Sequence, residues 1–149
     1  MKKIIIAIDG ESSSGKSTLA KALAKKLFFK HINTGSMYRA VTLLSLDRDI
    51  ISKEEYIIKM VSGLHFEFKL INGNSNLFLN GLNVEKRIRS REVSDFVSQV
   101  SAIPELRRKI VKIQRNLGVK KGIVMEGRDI GSVVFPNAEL KLFITANID

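Results

Sequence analysis

The sequence predicts an α/β fold in which a doubly wound parallel sheet carries a small antiparallel β insert. Three observations lead to this prediction. An apolar run at residues 4–8 is followed by a glycine-rich turn and then by apolar residues at helical spacing. Strand-like and helix-like segments alternate through most of the remaining chain, which is typical of parallel sheets covered by helices. Between residues 64 and 84 this alternation is interrupted by short strand patterns joined by turns.

Composition restricts the classes of protein that this chain can belong to. Its 149 residues, 44% hydrophobic and 27% charged, suit about one soluble globular domain. No apolar run is long enough to cross a bilayer, and the first run is too short for a signal peptide, so we expect a cytoplasmic protein without membrane association. The absence of cysteine excludes disulfides and thiolate metal sites. The two histidines, His31 and His65, lack zinc spacing and are expected to be surface or structural residues.

The glycine-rich turn fits the phosphate-binding pattern G-x-x-x-x-G-K-[ST]. Its glycines permit the backbone to curl so that N–H groups point at a phosphate, and the helix that follows adds its positive end. Lys16 is expected to reach the β- and γ-phosphates, and the Ser17 hydroxyl to ligate Mg²⁺. A mere surface turn would explain neither the lysine nor the flanking strand and helix. The candidate ATP-binding residues are Gly10, Glu11, Ser12, Ser13, Ser14, Gly15, Lys16, Ser17 and Thr18.

The first half of the chain continues the alternation of helices and strands. Apolar residues at helical spacing predict a helix over residues 19–27, and a short strand follows at residues 30–33. Thr34 is a candidate N-cap for a helix that reaches about Leu46, although its small hydroxyl could also face a ligand. A shorter helix is predicted within residues 52–62.

The insert is predicted to be an antiparallel meander over residues 64–84. Alternating apolar and polar residues indicate a first strand at residues 64–70, and residues 72–76 read as a turn. The Asn-Gly pair at 80–81 is a strong hairpin signal between two further short strands, at 77–79 and 82–84.

The second half returns to helices and buried strands. Helical spacing predicts one helix over residues 93–100 and another from Pro104 to a stop at Gly118. A buried strand at residues 123–125 is followed directly by polar residues, and residues 133–135 lead through a turn into a last strand at 140–145.

Polar residues follow three of the predicted parallel strands. These are Gly10, the pair at 33–34 and the segment at 126–129. Ligands of such sheets bind at the carboxyl ends of the strands, so we expect the three polar segments to converge on one cleft.

Four segments together resemble bacterial cytidylate kinase, a family of nucleoside monophosphate kinases. They are residues 6–18, 33–39, 98–100 and 125–136. The meander lies where that family carries its extended monophosphate-binding insert, and the resemblance spans essentially the whole chain. It implies a P-loop NTPase-type fold and a single kinase domain over residues 1–149.

The resemblance also implies a reaction and residues for it. The family transfers the γ-phosphoryl group of ATP to CMP or dCMP with Mg²⁺. Lys16 and Arg128 match its catalytic positions, and Asp9 or Glu126 could hold a water on the Mg²⁺. The residues that match its CMP-binding positions are Thr34, Arg39, Ser98, Arg107, Arg128 and Asp129. Arg39 and Arg128 would bind the α-phosphate, and Thr34 would lie near the acceptor nucleotide.

Three of the residues that match CMP-binding positions, Ser98, Arg107 and Asp129, match positions that the family uses to recognise cytosine. A carboxylate such as Asp129 can accept from the cytosine N4 amino group, while Ser98 and Arg107 can donate to the ring acceptors. Two alternatives stay open at this point. Arg107 could belong to a solvated helix face, and Arg128 could form an internal ion pair with Asp129.

The resemblance further implies that family members continue for several dozen residues, through a lid with more arginines. We therefore expect this chain to be C-terminally incomplete and a weak catalyst, because lid closure excludes water. Apolar surface near Leu140, Leu142 and Ile144 would be exposed, and the complete protein is expected to be a monomer.

Two other functions remain as alternatives. The first is another small-molecule P-loop kinase, which would act on a different monophosphate or on shikimate. The second is a nucleotide-dependent nucleic-acid-binding module, which the net charge of +10 would suit. Aromatic residues do not alternate with the basic ones as a base-stacking surface requires, so nucleic acid is not an expected partner.

Overall fold

The computed structural model describes residues 2–11 and 14–145. The strands are β1 Ile5–Gly10, β2 Lys30–Asn33, β3 Phe66–Ile71, β4 Asn74–Leu79, β5 Leu82–Asn83, β6 Ile123–Gly127 and β7 Leu140–Ile144. The helices are α1 Lys16–Leu27, α2 Thr34–Asp47, α3 Glu54–Val61, α4 Arg91–Ser101 and α5 Pro104–Leu117. A short 3-10 turn spans Arg87–Arg89 and a π-helical turn spans Ile130–Val134.

The chain divides into two compact units. The first, called here the sheet unit, comprises Met1–Thr34 and Gln114–Asp149. The second, called here the insert unit, comprises Gly35–Ile113.

The sheet unit is built on a four-stranded parallel sheet with the order β2-β6-β1-β7. Its two central strands, β6 and β1, are mostly apolar and buried, as expected when helices cover a parallel sheet, whereas the outer strand β2 is mostly polar. Ile6, Ile8 and Val124 form a core cluster on one face, against Ala20 and Ala24 of α1. The predicted α/β class and its parallel sheet are confirmed.

The insert unit contains the predicted antiparallel meander, with the order β3-β4-β5. Two-residue turns join its strands, and both residues of each turn have positive φ: 50° and 79° at Asn72 and Gly73, 50° and 84° at Asn80 and Gly81. That is the signature of type I′ hairpins, whose twist matches the strands. The first turn is shorter than the predicted one over residues 72–76, because β4 already begins at Asn74.

Of the three residues predicted to be exposed on the edge strand β7, Leu140 is exposed, whereas Leu142 and Ile144 are not. Leu142 and Ile144 pack partly buried against the α1 side of the sheet. Alternation along the strand turns Phe143 to the opposite face, where it is 71% exposed, while Leu140, at the start of the strand, is 39% exposed. Among the described residues, no helix combines the length and apolarity that a membrane span needs.

Glu139 ties the loop before β7 to the start of β1. Its carboxylate accepts a hydrogen bond from the Ile5 backbone N–H at 2.8 Å and another from the Lys121 ammonium. The Lys121 hydrogen bond, followed by that of Ile5, lowers the pKa of Glu139 to about 2. A carboxyl group with a depressed pKa stabilises the fold above its unfolded pKa, and this contribution is lost as the pH falls through the folded value.

We expect Glu139→Gln to reduce the free energy of unfolding near neutral pH, because the charged acceptor is lost. The difference from wild type should shrink as the pH falls from about 4.5 toward about 2, since wild-type Glu139 is then protonated as well. Urea denaturation at a series of pH values measures this. Lys121→Gln should weaken the dependence of the free energy of unfolding on pH over the same range. A stability difference between wild type and Glu139→Gln that stays constant from about pH 4.5 to about pH 2 would contradict the low pKa of Glu139.

Candidate active site

The three polar strand ends lie side by side in the sheet unit, as predicted. In the strand register Asp9 of β1 is opposite Gly127 of β6, and Asn33 of β2 is opposite Glu126. The Thr34 hydroxyl donates to the Glu126 carbonyl oxygen at 2.8 Å, which joins the ends of β2 and β6. Thr34 begins α2, and this bond takes the place of the predicted side-chain cap.

The glycines of the phosphate-binding loop are required by its backbone. Gly10 has a φ of 154°, and a Cβ there would overlap the backbone carbonyl of Ile144. Gly15, with a φ of 85°, adopts the left-handed conformation immediately before α1 begins at Lys16. Ser12 and Ser13 of the predicted ATP-binding set lie outside the described residues.

The loop closes on one backbone carbonyl. The Glu11 carbonyl oxygen accepts from the Ser14 N–H at 3.1 Å, from the Ser14 hydroxyl at 2.6 Å and from the Lys16 ammonium at 3.1 Å. Lys16 is only 9% exposed. Its charge therefore lies against the loop instead of projecting into solvent.

Glu126 is the buried carboxylate of the site, with 2% of its surface exposed. Its Oε1 accepts from the Ser17 hydroxyl, and its Oε2 pairs with His31 Nε2. Both oxygens thus have partners, as a buried charge requires. Sequence analysis assigned His31 to the surface or structural class and missed this contact. The contact depends on the strand register, which the sequence does not display and which sets His31 opposite Val124 on the face that also carries Glu126.

The π-helical turn after β6 was not predicted and depends on tertiary contacts at both ends. Asp9 accepts from the Ile130 N–H at 2.7 Å and from the Gly131 N–H at 2.9 Å. Arg115 donates to the carbonyl oxygens of Val133 at 2.8 Å and Val134 at 3.1 Å. A carboxylate at the first N–H groups and a guanidinium at the last carbonyls suit the helix dipole.

This turn determines where the two residues before it lie. Asp129, with a φ of 58°, occupies the left-handed region that Asp tolerates better than most residues. Arg128 and Asp129 are both exposed. Within residues 2–11 and 14–145 neither side chain forms an ion pair or a hydrogen bond, so the alternative of an internal pair is not found there. Both side chains are available to a ligand.

In the insert unit, Arg39 lies close to a second arginine. It donates to the Ile88 carbonyl oxygen at 2.9 Å and to the Ser94 hydroxyl at 3.0 Å. Burial first, and then the charge of Arg89, lower the pKa of Arg39 below its ordinary value. Arg89 itself donates to the Ser36 hydroxyl at 2.8 Å. Arg89 also pairs with Glu85 Oε1 at 3.0 Å, so the two guanidinium groups have one paired carboxylate and the site keeps a net positive charge that favours an anion. No sequence motif distinguishes Arg89 from the other basic residues around it.

The two predicted cytosine-binding residues of the insert unit, Arg107 and Ser98, differ in how firmly contacts hold their side chains. Arg107 lies over the Tyr38 ring, with its guanidinium carbon 5.3 Å from the ring centroid, and donates to the Ser101 carbonyl oxygen at 3.1 Å. It is half-buried, so it is not part of a simply solvated helix face. Ser98 is exposed on α4, and no hydrogen bond joins it to Arg107 among the described residues.

A phosphate-binding loop on the first strand of a parallel sheet, beside a buried carboxylate bonded to the loop serine, defines the class of P-loop nucleotide-binding proteins. The sequence model of the cytidylate kinase family matches residues 6–149. The chain belongs to this family.

Curated relatives agree with this assignment. A protein named cytidylate kinase from Flavobacterium johnsoniae is 51% identical over 100% of this chain and 67% of its own length. The cytidylate kinase from Parabacteroides distasonis is 52% identical over 99% of this chain and 67% of its own length. The one from Caldicellulosiruptor saccharolyticus is 48% identical over 100% of this chain and 66% of its own length. The chain therefore spans about two thirds of the length of these relatives.

We expect Gly127→Ala to destabilise the sheet unit by about 1–3 kcal/mol, because the added Cβ would overlap the Thr34 hydroxyl that joins β2 to β6. Chemical denaturation measures the change. Gly63→Ala is the control, since its added Cβ finds no neighbour nearer than 3.8 Å. In a Thr34→Ala background the substitution at position 127 should cost less, and equal costs in both backgrounds would rule out the proposed clash.

Proposed function

We propose that this chain transfers the γ-phosphoryl group of ATP to CMP, with ADP and CDP as products. The observation that carries the proposal is the phosphate-binding loop with its contact from Ser17 to the buried Glu126, in a chain that belongs to the cytidylate kinase family. Family membership disfavours both alternatives, a kinase for another acceptor and a nucleic-acid-binding module.

ATP binds, in this proposal, with its phosphates over the segment from Gly10 to Thr18. Backbone N–H groups and the positive end of α1 attract the phosphates, and Lys16 supplies a full charge. Because Lys16 already lies against the loop, little side-chain freedom is lost when it binds the anion.

The donor groups beside the loop fit Mg²⁺. A hydroxyl and a carboxylate are the hard oxygen donors that this ion prefers, and Ser17 keeps its lone pairs because it donates its proton to Glu126. Ser17 would ligate the ion, and Glu126 would hold one of its water ligands. Asp9 suits that task less well, because its register partner is Gly127, which places it on the face of the sheet opposite Glu126 and Ser17. Bound Mg²⁺ supplies positive charge against the phosphates.

CMP binding is assigned residue by residue from the family resemblance. Arg39 of the insert unit and Arg128 of the sheet unit bind the acceptor phosphate. Arg89 adds charge beside Arg39, although it also pairs with Glu85 at 3.0 Å. Cytosine is recognised by Ser98, Arg107 and Asp129, and Thr34 lies near the acceptor nucleotide.

The reaction needs no covalent enzyme intermediate. An oxygen of the CMP phosphate attacks the γ-phosphorus, and the bond from that phosphorus to the β,γ-bridging oxygen breaks. Catalysis consists of in-line positioning and charge stabilisation, which Lys16 and Arg128 provide. We extend the proposal to dCMP as a second acceptor, and to a cytoplasmic, monomeric protein.

Lys16→Ala should lower turnover about a hundredfold or more, because one preorganised charge on the transferred group is lost. A coupled assay of ADP formation with ATP, Mg²⁺ and CMP measures this, and acceptors dCMP, UMP, AMP and shikimate test the substrate class. Lys25→Ala, an exposed lysine of the same helix, is the control and should keep wild-type turnover. Near-normal turnover by Lys16→Ala would refute the mechanism.

Arg39→Gln should weaken CMP binding about tenfold to a hundredfold and leave cytidine binding unchanged, because only the phosphate contact is lost. Calorimetric titration with both ligands measures the two affinities. Arg87→Gln, which removes an arginine paired with Asp47 at 2.8 Å, is the matched control in the same unit. Equal losses for CMP and cytidine would show that Arg39 supports the fold instead of binding the phosphate.

A further inference from the structure

His31 contacts the buried carboxylate that accepts a hydrogen bond from the serine of the phosphate-binding loop. Its Nε2 pairs with Oε2 of Glu126, while Oε1 of the same carboxylate accepts from Ser17. His31 is 14% exposed and Glu126 is 2% exposed, so water competes little for this contact. None of the roles assigned so far uses His31.

The strand register explains how this contact forms. Glu126 and Val124 share one face of β6, and His31 of β2 is opposite Val124 on that face. The His31 side chain therefore reaches Glu126 along the diagonal of the strand pair. Ser17, in the first turn of α1, approaches the same carboxylate from the helix that packs on this face.

We propose that His31 is a positioning residue for the loop serine: it holds Oε2 of Glu126, so that Oε1 stays directed at the Ser17 hydroxyl. This role rests on the proposed function, in which Ser17 ligates the cation of the nucleotide. Ser17 does so best when its proton is fixed on a carboxylate and its lone pairs are left for the ion.

The chemistry of the three groups supports one direction of hydrogen bonding. An ionised carboxylate only accepts, so the proton of the His31–Glu126 bond belongs to Nε2 and that of the Ser17–Glu126 bond to the hydroxyl. If the His31 donor is removed, Oε2 loses its partner in a buried site. The carboxylate is then free to turn toward other donors, and the Ser17 proton is no longer fixed.

A residue that merely fills space beside Glu126 would behave differently. Leucine in its place would preserve most of the packing, and glutamine would have no advantage over leucine. A positioning role requires a donor at the right distance, which glutamine supplies near the position of Nε2. The two variants therefore distinguish the two roles.

The test is fluorescence titration of a fluorescent ATP analogue, with EDTA and with Mg²⁺, for wild type, His31→Leu and His31→Gln. The measured quantity is the factor by which Mg²⁺ tightens binding. We expect this factor to fall about tenfold or more in His31→Leu and to stay near wild type in His31→Gln. Affinity in EDTA should be unchanged in both variants, whereas the unfolding temperature should fall in His31→Leu, because Oε2 of Glu126 loses its donor, and should fall less in His31→Gln. If His31→Leu fails to fold, His31→Asn, whose amide is too short to reach, replaces it.

A double-mutant cycle tests whether the effect passes through Ser17. In a Ser17→Ala background, His31→Leu should cause little further loss of the Mg²⁺ response. An unchanged response in His31→Leu, equal losses in leucine and glutamine variants, or an undiminished loss in the Ser17→Ala background would each overturn the proposal. Wild-type binding that ignores Mg²⁺ would overturn the proposed cation site itself, so the two failures are distinguishable.

Discussion

The burial of the Glu126 carboxylate is the constraint on which the rest of the site depends. An isolated charge in an apolar interior is very unfavourable, and it persists only where hydrogen-bond donors compensate for the lost water. Here each donor comes from a different element: Ser17 from α1 and His31 from β2. The order of the sheet, with β6 between β1 and β2, brings these elements together around one side chain. Packing of the sheet and chemistry of the loop are thereby coupled.

A second carboxylate, Asp9, works on the opposite face of the same sheet. Its partner in the register is Gly127, the residue after Glu126, and successive strand residues point to opposite faces. Asp9 therefore cannot serve the loop serine as Glu126 does. It binds the first N–H groups of the π-helical turn instead, while Arg115 binds the carbonyl groups at its end. Glu126 thus contacts the phosphate-binding loop through Ser17, and Asp9 holds the π-helical turn that follows Arg128 and Asp129.

Features that depend on neighbouring residues are predictable from the sequence, whereas features that depend on contacts between distant parts of the chain are not. The phosphate-binding loop, the alternation of strands and helices and the Asn-Gly hairpin are each determined by neighbouring residues, and they were predicted. The π-helical turn is not predictable in this way, because Asp9, which holds it, lies more than a hundred residues away along the chain. Arg89 was missed for a related reason, since its importance comes from lying near Arg39, not from any motif. His31 required the strand register, which the sequence does not display.

Many of the basic side chains of this protein form contacts within the protein itself, which affects how its net positive charge is interpreted. A net charge of +10 suggests an anionic polymer as a partner. Yet several of the cations on α5 bind the protein itself: Arg107 and Arg115 donate to backbone carbonyls, and Lys109 donates to the Ile58 carbonyl oxygen at 3.1 Å. These groups are occupied in holding elements together. Arg39 and Arg89, with Glu85 paired to Arg89, form a compact group instead of a stripe. A compact group suits a small anion such as a nucleotide phosphate, whereas a polymer backbone needs a row of accessible charges.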